Sequence, residues 1–403
     1  MPTLTLPSPT STLGLLPPYL FAELDRKIAA ARSNGVDIIS LGVGDPDLPT
    51  PQPIVEEMMR AVQDPKNHVY PAYKGSPAFC QAVTQWMDTR FGVAINADTE
   101  TMALIGAKEG LAHLILGYIQ TGDVVLCPSP AYPVYRNYTL LCGGEPYTVP
   151  LTRENNFVPD VDAIPADVAR KAKLFFLNYP NNPTGAIITP EAIAKIVAFC
   201  QQYDIILCHD NAYSEMTFDG YNAPSFLATP GAKDVTIELF SFSKMFNMTG
   251  WRIGFAVGNA EVIKTLGTIK NNTDSGAFTA IQQAAAYGLG DYQALTAGHN
   301  TTYGKRRDLF VAGLQQLGFP VVPMQATFYL WVPVPAGWTS EAFATHLLDT
   351  CGIVVPPGNG YGPEGEGFFR VALTASEDRL KEALQRMQDK GIRFDMPFIN
   401  PLP

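Results

Sequence analysis

Between residues 100 and 258, short apolar runs alternate with longer stretches whose apolar positions recur at helical spacing. The runs are VVLC (124–127), KLFFLN (173–178), DIILCHD (204–210), IELFSFS (237–243) and RIGFAVG (252–258). Helical patterns lie between them, among them 109–120 and 190–202. The second of these opens with Thr189 as its cap and Pro190 in its first turn. Continuous apolar strands separated by helices predict an α/β fold around a mostly parallel sheet buried on both faces. Ligands of such sheets bind beyond the carboxyl ends of the strands.

The flanking segments follow a different pattern. Residues 1–18 are rich in Pro, Ser and Thr and predict an extended arm. A helical pattern over 19–34 (Leu20, Leu24, Ile28, Ala31) is closed by Gly35. The apolar segment DIISLGVG then runs into Asp45-Pro46-Asp47; Gly42 and Gly44 lack the third glycine of a dinucleotide fingerprint. Beyond residue 290 come a helix (292–317), a strand (327–334) and a second helix (340–350). An apolar run (353–356), a strand (368–373) and a last helix (377–390) complete the chain. The expected organisation is an arm (1–18), a small α+β domain from 19–48 and 296–403, and a large domain over 49–295.

Composition narrows the partners. The 403 residues are 46% hydrophobic, as in an ordinary globular protein, and 28 Lys+Arg against 38 Asp+Glu give a net charge of −10. That balance, without a basic stripe, argues against nucleic acid or an anionic membrane as a partner. No run of roughly 18 apolar residues predicts a membrane span. The N-terminus lacks the basic segment and continuous apolar core of a signal peptide. The six cysteines (Cys80, Cys127, Cys142, Cys200, Cys208, Cys351) show no CxxC spacing, and several fall in strand-like runs. They are expected as buried thiols in a reducing compartment, the cytoplasm. The histidines form no ligand pattern, so no metal is expected.

The chemistry centres on residues 240–255, FSFSKMFNMTGWRIGF. Lys244 sits beside Ser241 and Ser243, with Arg252 eight residues on. Hydroxyls and a guanidinium suit a phosphate, and a lysine amine can form a Schiff base with a carbonyl. Pyridoxal 5'-phosphate (PLP) offers both groups on one ring. The ordinary alternative is a buried strand followed by a surface lysine. Other features repeat the first logic. Asp210 ends a buried run, where it could keep a pyridine nitrogen protonated, and Tyr213 or Asn182 could reach the phenolic oxygen. Gly106-Ala107-Lys108-Glu109-Gly110 opens a helix whose free N–H groups favour a phosphate. Arg370, in an apolar and glycine-rich setting, could clamp a carboxylate. Each also has a structural reading: a turn-capping aspartate, an Asn-Pro turn, a glycine-led helix start, a salt bridge.

In this order, Asn182, Asp210, Tyr213, Lys244, Arg252 and Arg370 resemble the class I/II aminotransferases of PLP fold type I, from about residue 15 to 390. The resemblance implies a large domain with a mostly parallel seven-stranded sheet, a small domain, and a homodimer with active sites at its interface. It implies Lys244 as the Schiff-base lysine and Asp210 as the pyridinium partner, with Tyr213 and Asn182 on the phenolic oxygen. Ser241, Ser243, Arg252 and the Ala107–Lys108 backbone would hold the phosphate, and Tyr132 would stack on the ring. Gly44 and Arg370, beside Asn182, would form the substrate carboxylate site, and Tyr70 would reach the phosphate of the neighbouring subunit. Strings such as LGVGDPDLPTP, NHVYPAYKG, CHDNAYSEMTFDGY and PPGNGYGPEGEGFFRVALT look closest to the LL-diaminopimelate branch, which uses glutamate as amino donor. Residues 271–276 (NNTDSG) are candidates to lend polar groups to the partner's site. The substrates implied are an amino acid and a 2-oxo acid. The alternative is an aspartate/alanine-type or other class I aminotransferase, with a PLP carbon–sulfur lyase and a non-catalytic PLP-binding regulator behind it.

Overall fold

The computed structural model describes residues 7–17 and 20–398. Residues 1–6 and 18 of the expected arm, Tyr19, and the side chains of Leu20 and Leu24 lie outside the described residues. Eleven strands are described: β1 (Ile39–Ser40), β2 (Thr101–Leu104), β3 (Val124–Ser129), β4 (Glu145–Pro150), β5 (Ala172–Leu177), β6 (Ile206–Asn211), β7 (Thr236–Ser241), β8 (Gly254–Gly258), β9 (Tyr329–Pro333), β10 (Ile353–Val354) and β11 (Phe368–Ala372). Seven form one sheet in the order β2-β8-β7-β6-β5-β3-β4. Strand β8 is antiparallel to both of its neighbours, and every other pair in this sheet is parallel. The α/β fold with a mostly parallel seven-stranded sheet is therefore present.

Side-chain alternation explains why the central strands read as continuous apolar runs. Leu174, Phe176, Cys208, Ile237 and Leu239 face helices Ala107–Tyr118 and Ala260–Thr273. Phe175, Leu177 and Leu207 face helix Pro190–Tyr203, while Phe240, Phe255 and Val257 meet helices Pro77–Phe91 and Thr279–Gly290. Each such fully buried side chain contributes about 1.5–3 kcal/mol relative to exposure. A further core packs under the antiparallel pair β9–β11 and includes Ile39, Leu41, Phe343 and Leu380. Helix Tyr292–Gln316 feeds both regions. Its Tyr292 and Leu295 pack on the sheet-side cluster, whereas Tyr303, Phe310 and Leu314 lie in the β9–β11 core. The expected boundary at residue 296 falls inside this one helix.

Several expectations need local correction. The arm is not extended throughout, because Ser11–Leu15 form a 3-10 turn. The run 237–243 is strand only to Ser241; Phe242–Met245 then wind into a helical turn, with the Ser241 hydroxyl accepting the Ser243 N–H. The run 252–258 becomes strand only at Gly254, since Arg252 takes a left-handed conformation (φ +56°) after the turn Thr249–Trp251. The helix expected from 109 starts at Ala107, released by Gly106 at φ +78°. The cap at Thr189 is as expected, its side chain accepting the Ala192 N–H.

Candidate active site

Three adjacent strand ends deliver the reactive groups. Strand β5 ends beside Asn178, β6 carries Asp210, and β7 leads through its helical turn to Lys244. With the segments at 43–45, 107–111, 249–252, 329 and 370 they line a cavity of about 330 Å³, within the usual range for cofactor sites. The Lys244 Nζ donates to the Gly44 carbonyl at 2.7 Å. Burial pushes its pKa down to about 8; Asp45 opposes this, and the cations Arg370 and Arg252 add to it. An amine so placed is partly neutral near pH 8 and so available as a nucleophile.

Part of the cavity lining gathers groups whose chemistry suits an anion. Helix Ala107–Tyr118 begins there with no side-chain cap at Gly106, so its first N–H groups are not claimed by a capping side chain. The Arg252 Nη1 donates to the Thr249 carbonyl at 2.8 Å and to the Ser243 hydroxyl at 3.4 Å. A Cβ on Gly106 would collide with the Arg252 guanidinium, and one on Gly254 would come 3.0 Å from the Ala107 nitrogen. Glycine at these two positions lets the guanidinium and the helix start close on one point.

Asp210 also lines the cavity and is almost fully buried. Tyr135 donates its hydroxyl to Asp210 Oδ2 at 2.8 Å, and Tyr135 is itself stacked on Phe176. Burial raises the carboxyl pKa to about 6, against the pull of the Tyr135 hydrogen bond and of His209. Asn178 ties two elements together: its Nδ2 donates to the Asp210 carbonyl (2.6 Å) and its Oδ1 accepts the Asn182 N–H (2.6 Å). Asn182 in turn accepts from Arg370 Nη1 at 2.9 Å, which leaves its amide NH₂ as a donor for a ligand.

Arg370, 1% exposed, is held in place from three sides. It donates to the Gly42 carbonyl at 2.6 Å and lies 4.2 Å from the Tyr329 ring centroid and 5.0 Å from that of Tyr361. Tyr213 meets Tyr329 through their hydroxyls at 3.3 Å. The Gly44 segment is fixed by the bidentate Arg306–Asp47 pair (2.7 and 2.9 Å) and by Thr374, which donates to the Val43 carbonyl. A Cβ on Gly44 would run into the Tyr329 hydroxyl.

Of the residues singled out in the sequence, Lys244, Asp210, Tyr213, Asn182, Ser241, Ser243, Arg252, Ala107, Lys108, Tyr132, Gly44 and Arg370 all line this cavity. Tyr70 does not: it is 86% exposed, outside the cavity of its own chain. Sequence reasoning missed Tyr135, Asn178 and Tyr329. Asn178 ends a recognised apolar run and so carried a signal; Tyr135, in the first turn of helix Val134–Leu141, carried none.

The model of the family described as aminotransferase class I and II matches residues 36–387. The chain belongs to this family. The aminotransferase is 56% identical over 383 residues to LL-diaminopimelate aminotransferase 2 of Trichormus variabilis, covering 95% of this chain and 98% of that protein. It is 52% identical to the LL-diaminopimelate aminotransferase of Gloeobacter violaceus, covering 95% and 98%. Among solved structures, a Thermus thermophilus aspartate aminotransferase variant superposes with a TM-score of 0.89 at 27% identity, covering 96% of this chain and all of that one. The substrate-bound BacF structure from Bacillus subtilis superposes at 0.92 with 36% identity, covering 97% and 100%. Class I and II aminotransferases are PLP-dependent enzymes acting on amino and oxo acids. Among the described residues, no helix of this aminotransferase is long and apolar enough to cross a membrane.

Proposed function

We propose that this aminotransferase holds PLP in the 330 Å³ cavity and moves the amino group between LL-diaminopimelate and 2-oxoglutarate, as a cytoplasmic homodimer. The observation that carries the cofactor assignment is that a lysine amine, a buried carboxylate, and an arginine beside an uncapped helix start line one cavity. The residues fit the group: Gly106 and Gly254 let Arg252 and the helix start approach each other closely, and Asp210 supplies a carboxylate for a ring nitrogen. Bound PLP acts as an electron sink that acidifies the substrate Cα–H bond.

The chain's own groups would then do the following. Ser241, Ser243, Arg252 and the Ala107 and Lys108 amides bind the phosphate, and Tyr132 covers the ring. Asp210 holds a proton on the ring nitrogen, while Asn182 and Tyr213 donate toward the phenolic oxygen. Lys244 carries the proton taken from the substrate Cα. Arg370 and the Gly44 backbone orient the α-carboxylate, which aligns the Cα–H bond for removal. The identity to curated LL-diaminopimelate enzymes over nearly the whole chain supports the substrate. The exposed segment Val69–Tyr70–Tyr73 supports a second copy as the partner, with Tyr70 reaching its site. Six free cysteines support a reducing compartment. The separate sheet and β9–β11 cores support the division into large and small domains.

The deciding experiment is a substrate panel of LL-diaminopimelate, aspartate, alanine and aromatic amino acids, each with 2-oxoglutarate, followed by glutamate formation. Activity highest with LL-diaminopimelate is expected. Activity confined to aspartate or alanine would remove the substrate assignment, and cleavage products without glutamate would point to a lyase. The lowered Lys244 pKa gives a further expectation. PLP uptake by the apoprotein, followed by stopped-flow absorbance, should speed up as pH rises through about 8, because only the neutral amine attacks the aldehyde. A rate flat from about pH 7 to 9, roughly one unit either side of that pKa, would contradict this role.

A further inference from the structure

Among the described residues, Glu109, His113 and Asp274 form a group whose ligand atoms lie within 4.8 Å of one another, as a metal site would need. The cation between them is an ammonium. Lys270 Nζ donates to Glu109 Oε1 at 2.7 Å and to Asp274 Oδ1 at 2.9 Å, and the residue is 1% exposed. A lysine this deep is costly unless paired, and here it is paired twice.

Both partners do more than neutralise it. Glu109 sits in the first turn of helix Ala107–Tyr118, and its second oxygen accepts the Ile105 N–H. One carboxylate therefore clasps the turn from β2 into the helix, the turn that presents the Ala107 and Lys108 amides. His113 Nδ1 lies 3.2 Å from the same Oε1 atom. Burial alone would raise the Glu109 pKa, but His113, Lys270 and the Ile105 amide outweigh it, so the carboxylate is held ionised. On the other side, Asp274 Oδ1 accepts the Gly276 N–H at 2.7 Å. Gly276, at φ +84°, packs against the 71–73 segment: an added Cβ would stand 3.2 Å from the Ala72 carbonyl oxygen. Lys270 thus joins the anion cradle to the chain beside Tyr70.

We propose that Lys270 is a positioning residue for the phosphate cradle. It holds Glu109, and through it the first turn of helix Ala107–Tyr118, in the orientation that grips a phosphate. Lys270 does not itself line the cavity. This rests on the PLP assignment above. Misplacing such donors by about 1 Å can cost 10²-fold in a well-fitted site.

The test compares binding of PLP and of pyridoxal, which has the aldehyde but no phosphate, to the apoprotein. Lys270→Met is expected to weaken PLP by about tenfold or more while changing pyridoxal by less than about twofold, on the same scale of misplacement. Glu109→Gln should follow it, and Lys270→Arg should recover most of the PLP affinity. Equal weakening of both ligands, or no change in either, would overturn the proposal. Should Lys270→Met fail to fold, Asp274→Asn removes only one arm of the clamp, and the same selective loss of PLP, smaller in size, is expected. Failure of the unaltered chain to bind PLP would overturn the cofactor assignment itself. Equal losses in the variants beside normal binding by the unaltered chain would overturn only the role of Lys270.

Discussion

Lys244→Ala is expected to end steady-state transamination, lowering kcat by at least about 10⁴-fold. In the proposed mechanism the amine has two duties, pairing with an aldehyde and carrying the Cα proton. No other described lysine lines the cavity except Lys108, which sits at the anion end with its Nζ 6.0 Å from the Tyr132 ring centroid. The variant should still retain PLP, because the cradle at Arg252, Ser243 and the helix start is untouched. Steady-state glutamate formation and the retained cofactor absorbance, measured on one sample, check both halves. Ordinary turnover in this variant would remove the central claim.

Asp210→Asn is expected to fold and to lose about 10²–10³ in kcat, the scale of losing one preorganised electrostatic partner. An amide cannot hold the proton on a ring nitrogen as an anion does. Stability should move the other way. The folded carboxyl pKa is raised to about 6 by burial first, with Tyr135 and His209 opposing, against about 3.9 in an unfolded chain. A raised carboxyl pKa means the native state holds its proton more tightly. The associated stability is present below about pH 4 and is lost as pH rises through about 6. At pH 7 the ionised group costs the apoprotein roughly 3 kcal/mol. Asp210→Asn should therefore leave the apoprotein at least as stable at pH 7, with a flatter pH dependence between about 4 and 7. Denaturant melts of the two apoproteins read this out. Near-normal activity in Asp210→Asn would show the carboxylate to be structural.

The sheet and its chemistry were legible because buried parallel strands carry no alternation, so a polar residue at the end of one stands out. Asp210 and Lys244 were visible for that reason. Strand β4 was not, since its edge position leaves EPYTVP mostly half-buried and without an apolar run. Strand β2 is four residues long, too short to separate from its surroundings. The ends of β7 and β8 slipped because the backbone turns at Phe242, where the Ser241 side chain caps the turn, and at left-handed Arg252 leave no mark in hydropathy. Tyr135 was passed over because its task, donating to Asp210 across 75 positions of chain, is a tertiary fact. Tyr70 is exposed and lies outside the cavity of its own chain, so its proposed role depends on a second copy.

Helix Tyr292–Gln316 inserts side chains into both the sheet-side core and the β9–β11 core without interruption. At 25 residues it is roughly 37 Å of continuous backbone hydrogen bonding. Neither core can melt without fraying a helix that the other still holds. The shared helix therefore couples the stabilities of the two halves of this enzyme, even though their side chains cluster separately.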